Sequence, residues 1–252
     1  MEPDSQFPGT NADSADEVLP PAHGPGRLLA PLWHTVLLVA VLLYVSLNGS
    51  RGQHPLAAHS KVLEYLGSMF WEWILVGFTW LGIRKRISLR KLVGGRWPRV
   101  EDFLLDVSIA AGFWLVALLV LGAGAKLMHL DQAGQLESMR RSLGFLTPGS
   151  RLELAVWFFV SLSAGFCEEI LFRGYLQQQF SALTRSTLAG VLLSAAVFGI
   201  SHGYEGAARM LLIGIFGFLF GLLAWWRKSL RPGILAHAWH DAFAGAVLRM
   251  LK

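Results

Sequence analysis

Glu168, Glu169 and Arg173 fall within the run Ala164-Gly165-Phe166-Cys167-Glu168-Glu169-Ile170-Leu171-Phe172-Arg173-Gly174, which is otherwise apolar enough to cross a bilayer. A charged side chain at a membrane centre costs roughly 2.5–3.5 kcal/mol on insertion scales. Three so close together require partners, and helical geometry sorts them. Glu169 and Arg173 are four apart and share a face, so they can pair. Glu168 is turned about 100° from Glu169, which leaves its carboxylate free to act on another group. Two later apolar stretches carry matching chemistry: Phe198-Gly199-Ile200-Ser201-His202, and His237-Ala238-Trp239-His240-Asp241. His237 and Asp241 share a helical face, as do Phe198 and His202, while His240 points elsewhere. Glu, His, His and Asp inside a membrane mark a functional site by default. These groups can relay protons or ligate zinc, and helix bundles build such sites from facing helices.

The elements that must position these residues read as transmembrane helices. The 252 residues are 54% hydrophobic and only 15% charged, against about 25% charge in a soluble domain. Ten Trp and sixteen Phe add the aromatic weight of bilayer proteins. The fold class expected is all-α, a polytopic transmembrane bundle of about seven spans, with six to eight as the range. The spans are expected near 28–47, 62–83, 103–124, 152–176, 187–202, 210–226 and from 232 to the C-terminal end. His34 is expected at the membrane interface. Glu72, inside the second span, is expected to face a polar cavity or another helix. Gly214, Gly217 and Gly221 mark a smooth face on the sixth span, suited to close helix packing.

Residues 1–26 hold five acids, no Lys or Arg, and five prolines. They form no core and are expected to be a disordered acidic tail, without the pattern of a secretory signal. Residues 27–252 are expected to form one membrane domain. The net charge of +5 therefore lies wholly outside the tail. Its largest block is Arg84, Lys85, Arg86, Arg90, Lys91, Arg96 and Arg99, and a second is Arg227, Lys228 and Arg231. In a membrane protein this pattern marks cytoplasmic loops rather than nucleic-acid binding. It suits anionic lipid headgroups at 84–99. A further polar link carries Arg140 and Arg141. With both basic clusters inside, the N-terminus is cytoplasmic and the C-terminus outside. On these bounds Glu168 and His237 sit towards the cytoplasmic side of their spans and His202 towards the outer end of its own. A tilted or deeper fifth helix is then needed to join them. The single cysteine, Cys167, excludes an intramolecular disulfide. It reads as a small buried packing residue rather than a nucleophile.

Taken in order, Glu168-Glu169-x-x-x-Arg173, Phe198-x-x-x-His202 and His237-x-x-x-Asp241 resemble the three-motif signature of the CPBP family. That family includes CAAX prenyl endopeptidases and bacteriocin-processing or immunity-related membrane proteins. The flanking residues 171–176 and 229–237 are similar to it as well, so the resemblance covers about 150–250. It implies an intramembrane endopeptidase of the glutamate type, acting on a membrane-associated or lipid-anchored protein, without a cofactor. In such an enzyme Glu168, helped by His202, activates a water, and His237 and Asp241 stabilise the oxyanion. Glu169, Arg173 and Phe198 support them, Glu169 and Arg173 by bracing the helix or contacting the substrate backbone. Many members carry Asn where this chain has Asp241. An ionised Asp cannot donate a hydrogen bond, so Asp241 must be protonated to serve an oxyanion, or else orient His237. The expected setting is the cell (inner) membrane.

Three other functions compete with the metal-free protease. A zinc-dependent form would use the same Glu, His and Asp side chains, but the chain has no His-Glu-x-x-His. A non-catalytic scaffold or immunity protein has no need of Glu168 together with His202 and His237. A proton-coupled transporter would need paired broken helices in two matching halves, and no repeat is visible.

Overall fold

A computed structural model describes residues 26–51, 60–130, 134, 144 and 147–250. The acidic tail, apart from Gly26, and the Arg140–Arg141 link lie outside the described residues. The described chain is helical without strands. Its elements are α1 (Leu32–Arg51), α2 (Lys61–Ile83), a short α3 (Leu89–Val93), α4 (Val100–Leu127), α5 (Arg151–Thr184), α6 (Thr187–Ser201), α7 (Ala207–Arg227) and α8 (Arg231–Met250). By length and composition α2, α4, α5 and α7 are each able to cross a membrane. The stretch Leu32–Asn48 of α1 and the whole of α6 are shorter apolar helices. Large apolar side chains such as Phe70, Leu119, Leu127 and Trp226 stand exposed on the outer faces, as they would where lipid is the solvent.

The start of α5 is set locally. Ser150 Oγ accepts from the Glu153 amide at 3.1 Å, and the Glu153 carboxylate accepts from the Gly149 amide at 2.6 Å. This is a reciprocal cap. The end of α5 corrects the sequence reading, which stopped the fourth span near Leu176. The helix runs 34 residues to Thr184, and Gln177, Gln178 and Gln179 are buried within it. Gln177 donates to Gly221 O at 3.1 Å, and Gln179 donates to Ala30 O at 3.0 Å and Thr35 Oγ1 at 2.6 Å. These donors find partners inside the protein, so polar residues here do not end the span. Between Glu169 and Leu176 the helix is a π-helix, a widening frequent at functional sites.

The α5 helix is the axis of the bundle, in contact with α2, α6 and α8. A left-handed Arg185 (φ 56°) turns the chain from α5 into α6, and a left-handed Lys228 (φ 51°) turns it from α7 towards α8. Gly214 lies against Gly199 of α6, Gly217 against Phe198 and Ala195, and Gly221 against Val191. His34, near the start of α1, turns inward. It is buried, with Nδ1 2.7 Å from Tyr175 Oη and Nε2 3.0 Å from Phe78 O. Polar partners on α2 and α5 draw it inward.

The two basic clusters meet at one end of the bundle. The Leu230 amide donates to Val93 O at 2.9 Å, and Arg231 Nη1 donates to Arg96 O at 2.9 Å. Fully buried Asp106 of α4 lies 2.9 Å from both Arg227 Nη2 and Arg231 Nε, and accepts from Trp97 Nε1 at 2.8 Å. One carboxylate thus ties the α2–α4 segment to the α7–α8 turn.

Candidate active site

Glu168 closes the α-helical first half of α5, and Glu169 opens the π-helical stretch. Placed 18 residues into a 34-residue helix, Glu168 stands about 25 Å from either end at 1.5 Å per residue. The α6 helix has only 15 residues and begins just past the end of α5. It runs back along α5 and ends at His202, level with Glu168. The depth mismatch expected from the sequence is therefore absent. It came from ending the fourth helix at Leu176, which put Glu168 too near one end of it.

The two glutamates do different things. Fully buried Glu169 places Oε1 2.8 Å from Arg173 Nη1, close in distance though not aligned as a hydrogen bond. The same oxygen lies 3.0 Å from His237 Nδ1. Arg173 also donates to Gly217 O at 3.2 Å, and its guanidinium stacks over Phe198 at 4.5 Å and Phe220 at 5.2 Å. Such stacking helps a buried cation. Glu168 remains outside this network. Its Oε2 is 3.5 Å from His237 Nε2 and its Oε1 is 4.0 Å from His202 Nε2. Its side chain keeps 19% exposure where Glu169 has none.

Both imidazoles are oriented from behind. His237 presents Nδ1 to the Glu169 carboxylate, which accepts a hydrogen bond and turns Nε2 towards Glu168. His202 Nδ1 lies 2.9 Å from Phe198 O, one helical turn earlier, and this turns its Nε2 towards Glu168 as well. The Phe198 ring packs on His202 at 4.8 Å and edge-on to His237 at 6.1 Å. The structure therefore brings together Glu168, His202, His237, Glu169, Arg173 and Phe198. Asp241 Oδ2 is 3.9 Å from His237 Nε2, too long for a hydrogen bond. The partner orienting His237 is Glu169, a role the sequence did not reveal because nothing local links residues 169 and 237. His240 turns away and packs on Phe216 at 4.6 Å. Cys167 is buried, 3.9 Å from Ser163 Oγ. Among the described residues no group of three or more His, Cys, Asp or Glu side chains is arranged to hold a metal ion.

The close approach of α5 to α8 depends on Gly165. A Cβ there would stand 2.7 Å from the Ala238 amide nitrogen and 3.0 Å from Ile234 O. Both are backbone atoms, so the helices would have to separate. Gly165→Ala is expected to move His237 away from Glu168 and to lower turnover at least tenfold. The variant should still insert and purify as a folded protein. Measuring turnover alongside the thermal midpoint checks this, and unchanged turnover would mean that the α5–α8 distance does not control the site.

The class defined by this fold and centre is a multi-helix integral membrane protein with a carboxylate–imidazole site inside the bundle. Residues 150–243 match the family described as type II CAAX prenyl endopeptidase Rce1-like, and the match takes in all three motifs. The match supports a CPBP family intramembrane protease. The match supports an intramembrane endopeptidase, and with it a protein or peptide substrate. No curated protein and no solved structure matches the chain.

Proposed function

We propose that the protein hydrolyses a peptide bond of a membrane-associated or lipid-anchored protein, with Glu168 as the base that activates water. One observation carries this reading: Glu168 is held unpaired within 3.5 Å of His237 and 4.0 Å of His202, while its neighbour Glu169 takes up the buried arginine. A carboxylate already bonded to Arg173 would be a poor proton acceptor.

In the proposed reaction Glu168 removes a proton from water as the water oxygen bonds to the scissile carbonyl carbon. His202, beside Glu168, assists this transfer. The carbonyl oxygen gains negative charge and is stabilised by His237 and by Asp241 in its protonated form, donors preorganised where charge develops. His237 donates from Nε2 in its doubly protonated form, while its Nδ1–H stays on Glu169. The C–N bond then breaks, and the proton held by Glu168 passes to the departing nitrogen. Glu169 and Arg173 act at one remove by fixing the His237 ring. The proposed setting is the cell membrane, with the basic end towards the cytoplasm and residues 84–99 against anionic headgroups.

The test compares membranes of the host carrying the wild-type protein with membranes carrying Glu168→Gln, and reads new protein termini by mass spectrometry. Termini present only with the wild type support the assignment. Identical sets of termini defeat it. The proposed chemistry needs no metal, so processing should persist in strong chelators. Loss that zinc restores would replace this mechanism with a metallopeptidase one.

A further inference from the structure

Glu72 lies on α2, outside the segment that carries the three motifs, and faces α5. Its register is set by the next residue. Trp73 Nε1 donates to Ser163 Oγ at 2.9 Å, and the Trp73 ring stacks on Phe166 at 5.7 Å. This brings Glu72 against Ser163 and within electrostatic reach of Glu168 and Asp241. Glu72 therefore approaches the Glu168 and Asp241 side of the centre from α2.

Glu72 Oε2 is out of contact with solvent and has no hydrogen-bond partner among the described residues. Leaving a buried acceptor unmatched costs about 1–3 kcal/mol, and such atoms are few in native proteins. The neighbours do not answer it. Ser163 reaches the carboxylate but leaves Oε2 unmatched. Ionised Glu168 only accepts, the Asp241 proton is assigned to the oxyanion, and Arg173 is engaged by Glu169 and Gly217. Glu169 Oε2 is also unpartnered, but it faces Gly233 so closely that a Cβ there would be 3.0 Å away, and no ligand fits between them. The Glu72 carboxyl group instead lies beside Ser163 and within electrostatic reach of Glu168 and Asp241. A donor brought in by a ligand would satisfy it, and an extended peptide offers a backbone N–H about every 3.3 Å along its length.

We propose that Glu72 Oε2 accepts a hydrogen bond from a backbone N–H of the bound substrate, and so fixes which peptide bond lies over Glu168. This rests on the peptidase reading of the centre and adds a substrate-binding residue from a helix that the family match does not cover. The buried acceptor exerts its effect on binding and register, while proton transfer stays with Glu168.

The test uses the purified full chain and a synthetic S-farnesylated peptide ending in a CAAX sequence, together with versions N-methylated at one backbone amide each. Binding is measured in the Glu168→Gln background, so that no peptide is consumed, and cleavage is measured with Glu168 intact. Glu72→Met, which keeps length but removes the acceptor, is expected to weaken binding about tenfold. Glu72→Gln keeps an acceptor and is expected to stay within about threefold. One N-methylated peptide should bind about tenfold more weakly when Glu72 is present and show no further loss in Glu72→Met. Equal affinity with Glu72→Met overturns the contact, as does an N-methyl effect that persists in that variant or an absence of binding to every variant. Binding that depends on Glu72 without cleavage by the wild type would keep this contact and reject the peptidase reading.

Discussion

Glu168→Gln is expected to lower the cleavage rate of a processed substrate by about 10²–10⁴-fold, the usual contribution of a positioned general base. The amide is close to isosteric with the carboxylate but cannot take a proton from water. Stability should be nearly untouched, because Glu168 is partly exposed and stands at or beyond hydrogen-bond length from both imidazoles. The expected result is therefore a folded, inactive protein with substrate affinity close to that of the wild type. A rate within a few-fold of wild type would mean that another group activates the water. Loss of the thermal midpoint along with the rate would mean that Glu168 holds the bundle together, which its position outside the Glu169–Arg173 network does not allow.

Arg173→Met is expected to have the largest effect on stability. Arg173 and Glu169 keep 1% and 0% side-chain exposure, and no solvent is at hand to receive a stranded charge. Removing one partner of a buried pair destabilises by about 3–5 kcal/mol, because the other is left ionised in a poorly polarisable interior. The midpoint of the single variant should fall steeply. The double variant Arg173→Met with Glu169→Gln should recover much of the loss, since neither charge remains. It should stay inactive, because the neutral amide introduced by Glu169→Gln holds the His237 ring less firmly than a carboxylate does. A single variant as stable as the wild type would show that Glu169 is neutral in the native protein. In that case the ion pair could not be the clamp on His237.

Several features were legible along the chain because they depend only on local spacing. Hydropathy marked the four helices able to cross a membrane and the shorter apolar helices α1 and α6. The four-residue interval from Glu169 to Arg173 announced their pairing, and the geometry left Glu168 outside it. The two basic clusters could be assigned to one side of the membrane from charge alone, and they do lie together at one end of the bundle, joined through Asp106. The three motifs carried the resemblance to the CPBP family, and the match over 150–243 agrees with it.

Tertiary structure decided the depth of the site and the division of labour within it. Gln177–Gln179 look like the end of a span in a hydropathy profile, yet Gln177 and Gln179 hydrogen-bond to backbone and side-chain groups of α7, of α1 and of the residues just before α1. Only those distant partners let α5 continue and place Glu168 at mid-length, level with His202. The choice of Glu169 over Asp241 to orient His237 depends on how α8 crosses α5 at Gly165. The sequence left open whether Glu72 faces a polar cavity or another helix, and the docking of Trp73 on Ser163 sets it towards α5. Spacing within one helix is set by its covalent geometry. Contacts between helices arise from packing and from where buried polar atoms find partners, and these become visible only when the chain is folded.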